Sequence, residues 1–447
     1  MNFNVDILET SLRILEKYCL CDHCLGRQFA LLARGTDNST RGFSIKLLLA
    51  MIASKLIKEN CEERGVYILR ILAENGKFSL ASEILSRMGV EISKGKPCYI
   101  CNDILLNLDT YADRIVSLIS QYEFSSFLVG SRIPGEIAER EDSLRSEFGL
   151  TYGESFKSEF NRELGKLLQS RIGREVDFSS PDLVVIVDFL SDNIEVHPSP
   201  LFIYGRYRKL VRGIPQCTWI CSSCRGVGCE QCNYTGRKYP TSIEELIAIP
   251  VLKFTLGKDV VFHGAGREDV DARMLGTGRP FIVEVKEPKK RFIDLKKLEE
   301  EINRWADGKI EVSDLRFSSR SEVKRLKVLS SITQKTYRVL VRFEGEVTED
   351  DLRRVEEFFV DREVRQRTPL RVIKRRADKV RVKTVYFIKA KIMSSNLAEM
   401  TIKCQGGLYI KELVSGDNGR TSPSIAEVVG VPAECVELDV IDVSDVV

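Results

Sequence analysis

The sequence lacks several features that would place it in a common class of protein. No stretch approaches the eighteen or so apolar residues that a membrane-spanning helix needs. Residues 1–18 lack the basic and then apolar order of a signal peptide. The sequence also has no internal repeat and no long low-complexity segment. We therefore expect a cytoplasmic protein that does not engage a membrane.

A nucleotide-cofactor motif is missing as well. Dinucleotide and P-loop sites need a glycine-rich turn between a strand and a helix. The nearest candidate, FHGAGREDV at residues 262–270, has too few glycines at the required positions. We expect no organic cofactor.

The length and the charge distribution indicate a multidomain protein with one strongly basic segment. A chain of 447 residues exceeds one ordinary core, so two or three domains are expected. The net charge is only +3, yet residues 362–383 contain ten basic and two acidic residues. This segment could contact phosphates, although the charged edge of a solvated strand pair would have the same composition.

Hydrophobic periodicity predicts mixed α and β structure in both halves. In the first half a helix is predicted from an apolar stripe, and the segment DLVVIVDF that follows predicts a buried strand. The stripe consists of Phe160, Leu164, Leu167, Leu168 and Ile172. In the second half, a helix is predicted to end at Gly308, followed by a strand at TYRVLVRFEG and a further helix that begins after Thr348. The stripe of the helix before Gly308 consists of Phe292, Leu295, Leu298, Ile302 and Trp305.

Most of the thirteen cysteines fall into Cys-x-x-Cys pairs, which favour metal binding over disulfides in a reducing compartment. One set has tight spacing around a glycine-rich turn, and the other joins two distant pairs. The predicted ligands are Cys221, Cys224, Cys229 and Cys232 in the first set and Cys21, Cys24, Cys98 and Cys101 in the second. We expect one or two structural zinc ions. A redox dithiol, or isolated buried thiols at the wider set, remain the alternatives.

Residues 200–217, PLFIYGRYRKLVRGIPQC, interleave aromatic and basic side chains. Tyrosine rings can stack on bases while guanidinium groups hold phosphates, so this stretch is a candidate RNA surface. The candidates within it are Tyr204, Arg206 and Arg208. A β-hairpin with a charged face is the alternative.

The segment GREDVDARMLGTGRP, residues 266–280, places acids between basic side chains in a glycine-rich loop. A carboxylate beside arginine, on backbone that can approach a ligand closely, is a candidate functional group. An ordinary salt bridge in a loop is the alternative.

Four ordered motifs resemble the tRNA pseudouridine synthase family of archaea and eukaryotes that acts on the TΨC arm. They are GREDVDARMLGTGRPF, KTYRVLVRF, RQRTPLRVIKRR and GGLYIKELVSGDNGRTSPSI, and the resemblance covers residues 241–447. The segments PDLVVIVDF and PLFIYGRYRKLVRGIPQ resemble the THUMP-containing RNA-binding domain of that family. The resemblance implies an α+β protein with a THUMP-like α/β domain at residues 1–215 and a catalytic domain at 241–447. The cysteine spacing adds zinc to the first domain and makes residues 216–240 a four-cysteine connector between the two. The catalytic domain is expected to have a mixed, largely antiparallel sheet flanked by helices.

The same resemblance assigns roles to individual residues. It implies that Asp269 is the catalytic aspartate, assisted by Tyr337 and Lys411, although Asp271 lies in the same motif. Residues expected to hold RNA in this half are Arg267, Arg367, Arg371, Arg375 and Arg376. The implied reaction converts uridine to pseudouridine at position 55 of tRNA, with position 54 as a second expected target. The expected partner is tRNA, and we expect a monomer.

Two other functions remain open from the sequence. A non-catalytic, zinc-bearing THUMP protein would bind RNA without forming a new nucleoside. A THUMP-linked enzyme of another chemistry, such as a methyltransferase or a thiolation enzyme, is disfavoured by the missing nucleotide motif.

Overall fold

The computed structural model describes residues 7–329, 333–373 and 376–444. The chain divides into two compact units, Met1–Ser199 and Pro200–Val447. Among the helices described, none has both the length and the apolar character that crossing a bilayer would require.

The first unit is helix-rich and contains a small sheet. Its helices are α1 (Ile7–Lys17), α2 (Asp22–Gly26), α3 (Asn38–Lys58), α4 (Glu62–Glu74), α5 (Ser79–Arg87), α6 (Leu108–Ile119), α7 (Gly135–Phe148) and α8 (Phe156–Ile172). Its strands are β1 (Ser126–Arg132), β2 (Glu175–Val176), β3 (Leu183–Asp188) and β4 (Asn193–Pro198). They run in the order β2-β1-β3-β4, with β1 parallel to β2 and β3, and β4 antiparallel to β3.

The predicted helix and strand of this unit are confirmed. Helix α8 begins after Ser155, whose hydroxyl accepts a bond from the Ser158 amide, and it ends at Gly173 in the left-handed conformation. Phe160, Leu164 and Leu168 of the predicted stripe are fully buried. The strand read from DLVVIVDF is β3.

The second unit is built around one large sheet. Its helices are α9 (Ile243–Thr255), α10 (Leu295–Ala306), α11 (Arg320–Leu329), α12 (Glu349–Phe358), α13 (Ile410–Ser415) and α14 (Ile425–Val429). Its strands are β5 (Leu201–Lys209), β6 (Asp259–Gly264), β7 (Arg273–Lys286), β8 (Ile310–Ser318), β9 (Gln334–Phe343), β10 (Arg362–Arg367), β11 (Val380–Ser394), β12 (Leu397–Gln405), β13 (Thr421–Ser422) and β14 (Ala433–Val443).

The strands of this sheet follow the order β13-β10-β11-β12-β9-β14-β7-β5-β8, and β6 also pairs with β7. The pairing of β7 with β14 is parallel, and the other described pairings are antiparallel. The expectation of an α+β protein with a mixed, largely antiparallel sheet and flanking helices is therefore confirmed.

The helix predicted before Gly308 forms, but its apolar stripe is shorter than predicted. Asp294 caps α10 by accepting bonds from two backbone amides, so Phe292 precedes the helix and is exposed. Leu298 and Ile302 are fully buried, whereas Trp305 is 51% exposed. The helix predicted after Thr348 is α12, and the Thr348 side chain caps it.

Residues 201–209 lie in the second unit, although the sequence resemblance grouped them with the RNA-binding domain. As strand β5 they pair with β7 and β8. Strand alternation turns Ile203 and Tyr207 toward the core of this unit, where both are fully buried. Burial of this apolar face in the same core as the inner faces of α9 and α10 explains the placement.

A buried ion-pair cluster supports the junction of β7 with β14. The carboxylate of Asp439 on β14 is 2% exposed and accepts bonds from Arg273 at 2.8 Å and from Arg338 at 2.7 Å. Burial alone would raise the pKa of Asp439, but these bonds and the charge of Arg212 lower it to about 2. Because Arg273 is the first residue of β7, this cluster fixes the strand where the loop 265–272 ends.

The same junction requires glycine at position 276. Gly276 has a φ of +60°, and a Cβ there would lie 1.9 Å from the carbonyl oxygen of Ile441. Gly308 has a similar φ of +71°, but a Cβ there would meet nothing within 4 Å.

We predict that Gly276→Ala destabilises the protein more than Gly308→Ala. Both changes force an L-residue into the left-handed region, which costs about 1 kcal/mol. Only Gly276→Ala adds a backbone overlap, which costs about 1 to 3 kcal/mol more. Urea unfolding followed by circular dichroism measures both losses, and equal losses would contradict the close approach of β7 to β14.

Candidate active site

The loop between β6 and β7, residues 265–272, carries the predicted catalytic carboxylate. The Ala265 amide donates to the Pro280 carbonyl at 2.9 Å, and the Ala272 amide donates to the Asp269 carbonyl at 3.1 Å. These bonds close the loop at its start and at its end. Asp269 lies at the turn, and its side chain is 32% exposed.

A buried lysine holds the backbone of this loop from below. The Lys209 ammonium is fully buried and donates to the carbonyl oxygens of Ile214, Asp269 and Val270 at 2.8, 3.2 and 2.8 Å. Burial lowers the pKa of Lys209 to about 8. All three ammonium hydrogens are therefore used to fix backbone around Asp269.

A second buried contact fixes the loop on the other side. The Glu268 carboxylate accepts a bond from Arg279 Nε at 2.9 Å, and its two oxygens lie 2.9 and 3.1 Å from the Tyr207 hydroxyl. Arg279 Nη1 also donates to the Ala265 carbonyl at 2.8 Å. The side chains of Glu268 and Arg279 are each 1% exposed. Consecutive residues of the loop thus point in opposite directions, Glu268 inward and Asp269 outward.

Two cations contact the outward carboxylate. Arg371 Nη1 donates to Asp269 Oδ1 at 2.9 Å, and Lys411 Nζ lies 3.9 Å from Asp269 Oδ2. Arg371 belongs to a short 3₁₀ turn, Leu370–Val372, and Lys411 to the first turn of α13. The Asp269 carboxylate therefore faces two positive charges.

Each cation is also held by a second carboxylate. Arg371 Nε and Nη2 donate to the buried Glu412 at 2.6 and 3.3 Å. Lys411 Nζ donates to Asp271 at 2.5 Å. Partial burial acts to raise the pKa of Asp271, but the bond and charge of Lys411 hold it below its ordinary value. Both cations are therefore positioned independently of Asp269.

Tyr337 lies on β9 in the core behind this group and is 8% exposed. Burial raises the pKa of its phenol well above the ordinary value, and the charges of Arg279, Asp269 and Glu268 also act on it. The phenol therefore stays protonated. Its hydroxyl makes no hydrogen bond with any residue in the described ranges, so it can bond to a substrate.

The three residues of β5 that the sequence predicted to bind RNA differ in their exposure and in their contacts. Arg206 is 8% exposed and donates to the carbonyl oxygens of Thr277 and Gly278 on the neighbouring strand β7. Its guanidinium group is used in bonds within the protein, and little of its surface is accessible to RNA. Arg208 is 41% exposed and pairs with Glu311. The ring of Tyr204 stacks under Arg316 at 4.3 Å.

The other predicted RNA contacts belong to the loop 265–272 and to the basic segment 362–383. Arg267 is exposed, and its guanidinium lies 5.9 Å from the centre of the Trp219 ring. Arg367 is 54% exposed and pairs with Asp378 at 2.7 Å. Arg376 is exposed, and Arg375 lies outside the described residues.

Both predicted cysteine sets converge. In each set the four sulfur atoms lie within 4.8 Å of one another: Cys21, Cys24, Cys98 and Cys101 in the first unit, and Cys221, Cys224, Cys229 and Cys232 in the second. Neighbouring sulfur atoms lie 3.7 to 3.9 Å apart, far beyond the roughly 2.05 Å of a disulfide. Amides of Gly228 and Gly236 donate to sulfur atoms at 3.2 Å. Both groups can therefore hold a metal ion.

Three positioning residues escaped the sequence patterns: Lys209, Glu268 and Arg279. Lys209 belongs to the stretch 200–217, whose composition indicates a candidate RNA surface. Its strand position gave a signal, because it shares the odd-numbered face with the apolar residues Ile203 and Tyr207. Glu268 and Arg279 gave no comparable signal, since their pairing across the loop depends on the tertiary fold.

Two family models match the chain. The model described as "Pus10, C-terminal" matches residues 202–444, more than half of the chain. The model described as "Pus10 THUMP domain, archaeal" matches residues 111–188. The first match begins within β5, which agrees with the place of β5 in the second unit.

Full-length relatives are similar to the chain along nearly all of it. A protein of Methanothrix thermoacetophila is 44% identical over 443 residues, covering 99% of this chain and 95% of the relative. Proteins of Methanocaldococcus jannaschii, 44% identical and covering 99% and 95%, and of Methanothermobacter marburgensis, 46% identical and covering 95% and 95%, are similar too. Each is named "tRNA pseudouridine synthase Pus10". With the four motifs, these matches place the chain in the Pus10 family of tRNA pseudouridine synthases.

Proposed function

We propose that this chain isomerises uridine to pseudouridine in the TΨC arm of tRNA, at position 55 and also at position 54, with Asp269 as the catalytic residue. The observation that carries the proposal is the outward, partly exposed Asp269 carboxylate, held on a braced loop and contacted by Arg371 and Lys411. The full-length similarity to tRNA pseudouridine synthases supports the reaction class.

The reaction needs the groups that this site offers. The bond from C1′ of the ribose to N1 of uracil breaks, the base turns, and a bond from C1′ to C5 forms. C5 then loses a proton and N1 gains one, so there is no net redox change. The enzyme must therefore stabilise an electron-poor sugar centre and retain the detached base.

An anionic Asp269 can serve the sugar centre in either of two ways. It can attack the sugar as a nucleophile, or it can stabilise the positive charge that develops there. Both roles require a fixed position, because a displacement of about 1 Å can lower the rate about 100-fold. The bonds from Lys209 to the loop backbone supply that fixation.

The uracil must leave its stack to reach the carboxylate. In our proposal Tyr337 lies beneath the flipped base, and its protonated hydroxyl donates a hydrogen bond to the base. Exposed arginines near the site, including Arg267 and Arg376, would hold the RNA backbone during the flip. The first unit, which includes the THUMP match at residues 111–188, would bind the tRNA outside the arm and so select the target position.

We further propose that both cysteine groups hold structural zinc. For a zinc–sulfur bond of about 2.3 Å, a tetrahedron has sulfur–sulfur edges of about 3.8 Å. The observed separations of 3.7 to 3.9 Å match this value. Four thiolates leave no open coordination position, so the zinc would stabilise the fold and take no part in the reaction.

We predict that Asp269→Asn lowers the rate of pseudouridine formation by on the order of a thousandfold or more, because a neutral amide can neither attack nor stabilise the sugar centre. Asp271→Asn is the matched control, since Asp271 shares the loop and the contact with Lys411. Chemical derivatisation of unmodified tRNA transcript after incubation locates each pseudouridine.

Full turnover by Asp269→Asn, or loss of turnover only in Asp271→Asn, would contradict the assignment of Asp269. Binding of tRNA without any pseudouridine from the unchanged protein would instead support the non-catalytic RNA-binding function. Product at a position outside the TΨC arm would contradict the proposed target.

We predict that kcat falls as pH rises above about 8, because Lys209 then loses a proton and one of its three bonds to the loop. The folded pKa lies below the unfolded value of about 10.4, so the folded protein releases this proton first. The stability cost of burying the ammonium is full below about pH 8 and fades between about 8 and 10.4.

Lys209→Met should lower kcat about 10- to 100-fold and flatten the alkaline fall. Lys253→Met, at a lysine that is 72% exposed in the same unit, should keep the unchanged profile. A Lys209→Met protein with normal kcat and a normal alkaline fall would show that the bonds from Lys209 do not position the carboxylate.

We predict two zinc ions per chain by mass spectrometry of the metal content. Cys98→Ser and Cys224→Ser should each remove one ion, since each breaks a different four-sulfur group. Cys61→Ser, at an exposed cysteine outside both groups, should keep two. An unchanged zinc content in Cys98→Ser would argue against metal at the first group.

A further inference from the structure

A cavity of about 510 Å³ lies beside the loop 265–272, and its lining does not include Asp269, Tyr337 or Lys411. Its lining includes Trp219, Lys238, Arg267, Val372 and Arg376. The described residues that line it include three cations and no carboxylate. The cavity is therefore suited to an anionic ligand that has an aromatic part.

The indole of Trp219 is the aromatic centre of the cavity. Lys238 Nζ lies 5.4 Å from the centre of the ring, and Arg267 Cζ lies 5.9 Å from it. Tyr239 meets the indole edge-on at 5.5 Å. Lys238 and Arg267 are exposed, so either can leave the ring at small cost and turn toward a phosphate.

The four-cysteine group Cys221 to Cys232 builds this arrangement. The Lys238 amide donates to the Trp219 carbonyl at 2.9 Å, and the Cys221 amide donates to the Gly236 carbonyl at 2.8 Å. Ile220 and Arg237 form an antiparallel bridge between these bonds. The two ends of the four-cysteine segment are thus paired, and this pairing sets Lys238 over the Trp219 ring.

The cavity also adjoins Asp269 along two chain segments. Arg267 precedes Asp269 by two residues in the braced loop. Val372 follows Arg371, whose guanidinium bonds the Asp269 carboxylate. A ligand in the cavity would therefore lie next to a nucleotide bound at Asp269.

We propose that this cavity binds a nucleotide of the RNA substrate that neighbours the target uridine. Its base would stack on Trp219, and its phosphates would pair with Lys238, Arg267 and Arg376. The inference rests on the proposed function in taking RNA as the substrate. The cavity volume falls within the roughly 300 to 1,000 Å³ of typical small-ligand sites, and an indole face accepts any base.

The two tryptophans of the chain allow a direct test by fluorescence. Trp305→Phe leaves Trp219 as the single indole, and Trp219→Phe leaves Trp305, which is 51% exposed on α10. Each protein is titrated with unmodified tRNA transcript. We expect saturable quenching in Trp305→Phe and little change in Trp219→Phe. Equal quenching in both proteins, or none in Trp305→Phe, would overturn the proposal.

Steady-state kinetics provide a second test of the cavity proposal. Trp219→Ala should raise KM for tRNA about tenfold with little change in kcat, because one stacked base is lost from binding. Trp219→Phe should recover most of the affinity, and both variants should keep their zinc. An unchanged KM in Trp219→Ala overturns the proposal.

The two tests distinguish a failure of the cavity proposal from a failure of the proposed function. Pseudouridine formation by the unchanged protein without quenching of Trp219 would sink the cavity proposal alone. Quenching of Trp219 without pseudouridine formation would sink the proposed function and leave the cavity as an RNA-binding site.

Discussion

The Lys209 ammonium, buried beneath the loop 265–272, is the contact on which the arrangement of the site depends. Its three bonds tie together the backbone at Ile214, Asp269 and Val270. The carbonyl oxygens of Asp269 and Val270 also accept bonds from the amides of Ala272 and Gly213. The pair of Glu268 with Arg279 acts in the same way beside it. Removing one partner of such a buried pair leaves an uncompensated charge, at a cost of about 3 to 5 kcal/mol. The loop therefore cannot shift without a large loss of stability, and Asp269 remains in place before a substrate arrives.

The two cations that contact Asp269 are also held in place by other residues. Arg371 is tied to Glu412 and Lys411 to Asp271, so neither cation needs Asp269 to stay in place. In the reaction that we propose, a carboxylate that meets cations already fixed requires little reorganisation when charge develops on the sugar. The four-cysteine group Cys221 to Cys232 holds Trp219 in position, and the Trp219 ring contacts Arg267 of the loop 265–272.

Local sequence patterns predicted the parts of this structure that local physics determines. Helices with strong caps, such as those after Ser155 and Thr348, and both cysteine groups follow from spacing and residue type. The position of β5 in the sheet of the second unit could not be predicted from the sequence. Its aromatic and basic residues fit an RNA-binding surface, and they equally fit a strand with one face in the core. The inward role of Lys209 depends on which face of β5 the core of the second unit covers, and periodicity alone does not choose that face. The contact of Arg371 with Asp269 spans about a hundred residues of sequence, so only the fold brings the two together.

The most direct test of the central claim is a crystal structure of the Asp269→Asn protein bound to a TΨC-arm RNA that contains the target uridine. We expect a flipped uridine whose C1′ lies within about 3.5 Å of the substituted side chain at position 269, with its base over Tyr337. A uridine left in its stack, or a C1′ closer to Asp271 than to position 269, would contradict the assignment.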